Sequence, residues 1–139
     1  MQAKRRNRHH MRLLGSAMGL AGGVANTWIL VSWGPWWSAA SYVGHEPAIP
    51  FWNRANTTGF LATVLVLSVL GAVLALCMLK TAKLPSLLLI IVGGLIAIVS
   101  FAAVLLWGFR AMYLVPAGVV QVCGGALGLA GLGPEQGRK

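Results

Sequence analysis

Residues 84–107 read LPSLLLIIVGGLIAIVSFAAVLLW, without one Asp, Glu, Lys, Arg or His. At 1.5 Å of rise per residue such a stretch makes a helix of about 36 Å, enough to cross a hydrocarbon core of about 30 Å. A helix suits lipid because it satisfies its own backbone hydrogen bonds where no water can reach. Three more stretches of the same kind occur, at Leu13–Trp33, Thr58–Leu79 and Met112–Leu132, again with no ionisable side chain inside. The pattern predicts an all-α membrane protein, a four-transmembrane-helix bundle.

Composition agrees with this reading. Hydrophobic residues make up 58% of the 139 and charged residues 9%, against about 25% charged in a soluble domain. The longest segment outside the spans, residues 34–57, is too short to bury a core of its own. The expected organisation is a basic tail over residues 1–12, a transmembrane domain over 13–132 with an outer loop at 34–57, and a short tail at 133–139.

The net charge of +9 is arranged as a topology signal. Lys4, Arg5, Arg6, Arg8 and Arg12 precede the first span, Lys80 and Lys83 lie between the second and third, and Arg138 and Lys139 end the chain. If the helices alternate, these fall on one side and only Arg54 and Arg110 on the other. The positive-inside rule then places both termini in the cytoplasm, in a cell (inner or plasma) membrane. The basic N-terminal run is expected to touch anionic lipid headgroups. Nucleic acid is not an expected partner, because no aromatic side chain interleaves the basic run. Gly23-Val24-Ala25 could end a signal peptide, but the apolar run continues to Trp33, so a retained span is expected.

Tryptophans mark the outer boundary. Trp28, Trp33, Trp36, Trp37 and Trp52 gather at the end of the first span and in the loop after it, and Trp107 closes the third span. Amphipathic rings favour the headgroup level, so Trp33, Trp36, Trp37, Trp52 and Trp107 are expected as interfacial anchors. In the loop itself, Pro35, Pro47 and Pro50 argue against one long helix. The connection Lys80-Thr81-Ala82-Lys83 is short enough to force an antiparallel hairpin.

Small residues supply the packing candidates. Gly15, Gly19 and Gly23 form GxxxGxxxG, and Gly124 and Gly128 form GxxxG. Spacing of four places them on one helix face and lets backbones approach closely. Such faces serve either packing within the chain or docking onto a partner, and both readings stay open here. Gly93-Gly94 offers a weaker site. Asn26 and Gln121 are expected at similar depth, near enough to hydrogen-bond as structural glue.

Little points to chemistry. His45 and Glu46 are too few to close a zinc site, and the outer loop they occupy is the one place a lipid, quinone or metal contact stays open. No span carries a histidine for haem, and no nucleophile–base pair or phosphate loop is present. Cys77 and Cys123 lie at different depths, which argues against a disulfide. No cofactor and no enzymatic activity are expected.

The segments Trp33-Gly34-Pro35-Trp36-Trp37 and Val119-Val120-Gln121-Val122-Cys123-Gly124-Gly125-Ala126-Leu127-Gly128, with the basic inner hairpin, give a layout that resembles small bacterial four-span membrane proteins. The tryptophan-operon-associated transmembrane family is similar in layout, although its outer segment between the last two spans is longer. The resemblance implies a four-span fold and assigns no activity to particular residues. Together these features lead to the expectation of a non-catalytic accessory or assembly subunit of a larger membrane complex, respiratory, lipid-transport or cell-envelope, bound to other integral membrane subunits. The alternatives are a small homo-oligomeric, holin-like pore and a transporter component.

Overall fold

A computed structural model gives four helices in sequence: α1 (Gln2–Ala40), α2 (Arg54–Cys77), α3 (Lys83–Trp107) and α4 (Val115–Ala130), with a 3-10 turn at Phe109–Leu114 leading into α4. The structure describes residues 2–40, 54–81, 83–107 and 109–132, with side chains for 6–34, 58–81, 83–104 and 112–132. Among these there is no strand. Four segments are long and apolar enough to cross a membrane: Arg6–Gly34, Thr58–Cys77, Lys83–Val104 and Met112–Ala130. The chain is a multi-pass, all-α membrane protein.

The first helix is longer at both ends than its apolar run. The expected tail before Leu13 is helical from Gln2, and the expected loop start at Gly34 is helical through Ala40. Arg, Lys, Gln, Met and Leu are good helix formers, so the boundary between lipid and water does not stop the helix. Pro35 lies inside it; a proline within a membrane helix is tolerated where local adjustments re-satisfy the freed carbonyl. Residues 41–53 and 133–139, including Trp52, His45 and Glu46, lie outside the described residues.

The α2–α3 hairpin is tight. After Cys77 the chain turns through Leu79 N–H to Leu76 O (3.2 Å), with Lys80 and Thr81 N–H both on Cys77 O (3.0 Å). Arg12 on α1 reaches across to this turn and donates from Nη2 to Met78 O at 3.1 Å and Leu79 O at 3.4 Å. A cation at a helix C-terminus satisfies orphan carbonyls and opposes the negative end of the dipole. Pro85 sits in the first turn of α3 and Pro116 in the first turn of α4, where a missing N–H removes no intrahelical bond.

The helices close a ring in which α4 is wedged between α1 and α3, while α2 packs on α1 and α3. Two apolar clusters fill it. Leu30, Leu61, Val64, Val92, Ile96 and Leu114 form the larger, and Ala75, Met78 and Leu89 form the smaller near the inner hairpin. Large apolar side chains such as Val66, Ile98 and Phe101 face outward, the arrangement that lipid permits and water would oppose.

Candidate functional site

The interior between these clusters is built from glycines. At Gly15 an added methyl would sit 2.9 Å from the Gly128 nitrogen, and at Gly124 it would sit 2.6 Å from the Gly15 oxygen and 2.7 Å from the Gly19 nitrogen. These neighbours are backbone atoms, so α1 and α4 are in direct main-chain contact. The third glycine of the α1 motif behaves differently. Gly23 faces α2, where a methyl would meet the Ser68 oxygen at 2.8 Å and Ala72 Cβ at 2.9 Å. Steps of four residues rotate about 40° per repeat around a helix of 3.6 residues per turn. The stripe therefore walks from α4 to α2 along the length of α1.

The α3 side of α4 is equally close. Gly118 lies against Gly93 O and the Ala97 nitrogen (2.8 Å each from an added methyl), and Gly125 lies against Ser86 O at 2.7 Å. Gly94, beside Gly93, faces open space. Gly118, Gln121, Gly125 and Gly128 fall at heptad-like steps on α4, a visible signal that a search for GxxxG alone passes over.

Gln121 stands at the centre of this arrangement and is fully buried. A glycine from each of the other three helices leaves room for it. A methyl at Gly22 would lie 2.9 Å from Gln121 Cγ, one at Gly71 2.9 Å from Cδ, and one at Gly93 2.8 Å from Cβ. Asn26 is also fully buried, and neither its amide nor that of Gln121 has a hydrogen-bond partner. The direct bond expected between the two is therefore not made. Gln121 packs against Gly22, one turn from Asn26 along α1.

The other buried hydroxyls divide in two. Ser16 donates to Ala75 O at 2.6 Å, tying α1 to α2, and Ser68 donates to Val64 O at 2.7 Å in its own helix. Ser86 and Ser100 hydroxyls are buried without a partner. None of the buried polar side chains among the described residues is ionisable.

Outside the ring, α1 and α2 leave a groove of about 380 Å³ lined by Val24, Thr27, Trp28, Val31, Val69, Ala72, Val73 and Leu76. Its one hydroxyl among these, on Thr27, donates to Gly23 O at 2.8 Å. Trp28 stands at its edge, 71% exposed.

Of the expected anchors, Trp33 is exposed; Trp36 and Trp37 lie in the C-terminal part of α1 and Trp107 ends α3, with their side chains outside those described. Cys77 and Cys123 are both exposed free thiols. The described residues hold no group of three or more His, Cys, Asp or Glu side chains placed to share a metal ion. No protein-family model, curated protein or solved structure matches the chain.

Proposed function

We propose that this chain is a non-catalytic subunit of a larger membrane assembly, seated against a transmembrane helix of a partner protein through the groove between α1 and α2. Both termini and the inner hairpin then face the cytoplasm, as the charge distribution favours. The observation that carries the reading is Trp28. Its indole N–H has no acceptor among the described residues, and it lies about 7 Å inside Trp33 along the helix. At that depth lipid tails offer no acceptor, whereas a partner helix supplies carbonyl or hydroxyl oxygens. The glycines of the α1 and α4 motifs, which could otherwise have served a partner, are engaged within the bundle.

A homo-oligomeric pore would draw on polar side chains turned outward. Two hydroxyls within the spans, of half-buried Thr27 and exposed Thr63, are instead bonded to Gly23 O and Gly59 O of their own helices at 2.8 Å, which favours the subunit reading.

A photocrosslinking residue in place of Val73 tests the groove in native membranes. The expected product is an adduct to one integral membrane protein that also copurifies at fixed ratio. Val69→Trp, which fills the groove, should lower that adduct by about tenfold, corresponding to roughly 1.4 kcal/mol. Adducts to lipid alone, or a protein adduct indifferent to Val69→Trp, would remove the groove from the account.

A further inference from the structure

We infer that the Asn26 and Gln121 amides hold a bridging water between them, so that the middle of the bundle is a closed hydration site inside the membrane. Both side chains are fully buried, and all four of their polar atoms are without a protein partner. In hydrocarbon an unpaired amide costs several kcal/mol, and nearly all buried polar groups in folded proteins find a protein or water partner. Two such groups left unpaired in one core therefore point to a small molecule that both donates and accepts.

Geometry and chemistry choose water. Gln121 lies at the level of Gly22 and Gly71, while Asn26 is one turn further out on α1. A single water serves two amides about one turn apart that do not bond each other, donating to the oxygen of one and accepting from the nitrogen of the other. A buried water needs two to four polar partners. Asn26 and Gln121 provide these, each with one donor and one acceptor group left unpaired.

The ligand is neutral because the partners are neutral: no buried ionisable side chain accompanies them among the described residues, so neither a metal ion nor an anion would be compensated. Gly22 and Gly93 pack on the Gln121 stem and Gly71 on its amide, so closely that a larger ligand would have to part the helices. The apolar clusters on either side, with Leu89 inward and Leu30 and Leu114 outward, close the site to both surfaces. Trapped water of this kind fixes the register of α1 against α4 in a core that has no direct polar bond between those two helices at this level.

Water-edited solid-state NMR on the full-length protein in lipid bilayers tests this without any substitution. Magnetisation from water should reach the side-chain NH₂ groups of both Asn26 and Gln121, while the backbone amides of Leu89 and Ile96 in the apolar clusters stay dark. Transfer to neither amide, or to only one, would overturn the bridge. So would a direct Asn26–Gln121 contact in a dry core.

Discussion

The Arg12 guanidinium on α1 donates to the Met78 carbonyl at 3.1 Å, closing the end of a helix to which it does not belong. Its aliphatic stem meanwhile fills the space beside Gly131 at the end of α4, where an added methyl would meet Arg12 Cγ at 2.7 Å. One side chain thus gathers the inner ends of three helices. Arg12→Ala should lower bundle stability by about 1–2 kcal/mol, the worth of a charge-assisted bond to a helix terminus. Arg12→Lys should recover part of that loss. Thermal unfolding in mild detergent reads both, and an unchanged midpoint for Arg12→Ala would show that the contact contributes nothing.

Glycine substitutions should separate by what each glycine meets. Gly124→Ala places a methyl against the backbone of Gly15 and Gly19, so α1 and α4 must part, at about 1–3 kcal/mol. Gly94→Ala meets nothing within 4 Å and should be neutral or stabilising by up to about 1 kcal/mol through helix propensity. The same unfolding assay compares them. Equal effects at the two positions would contradict the α1–α4 contact.

Gly71→Ala should behave differently again, because the methyl meets the flexible end of Gln121 rather than backbone. Its cost should depend on Gln121. In a double-mutant cycle with Gln121→Ala, the penalty of Gly71→Ala should shrink, giving a coupling of about 0.5–3 kcal/mol. Simple additivity would place the Gln121 amide away from α2.

Labelling of the two thiols tests depth and orientation together. Both are exposed on the bundle surface, but Cys77 ends α2 beside the inner hairpin while Cys123 lies in the middle of α4. Maleimides reach a thiol from the aqueous side, so they should modify Cys77 readily and Cys123, in mid-span, slowly. Under the proposed orientation, a membrane-impermeant maleimide should spare Cys77 in intact cells and label it once the membrane is opened. Labelling of Cys77 from outside would invert the topology.

The four spans were legible because absence of charge over about 20 residues is a strong signal that depends on no tertiary detail. Helix ends were less so. Residues 2–12 and 34–40 are helical beyond the apolar run, since hydropathy marks where lipid stops and not where the backbone does. The glycines of α1 and α4 stood out by spacing, yet spacing could not assign Gly23 to α2 or pair Gly93 with Gly118, because those choices depend on how far the stripe rotates. The Asn26 and Gln121 amides, expected to bond each other, are both buried without a partner, because a side-chain bond depends on rotamer and packing that residue spacing does not fix. The Arg12 cap was invisible, because it joins positions 66 residues apart.

The most direct test of the account is the mass of the assembly that the tagged chain forms when extracted from its own membrane in mild detergent. A particle containing this chain and a second integral membrane protein at fixed stoichiometry, dispersed by Val69→Trp, is the predicted result. Recovery of the chain only as a monomer or a homo-oligomer would contradict the subunit reading.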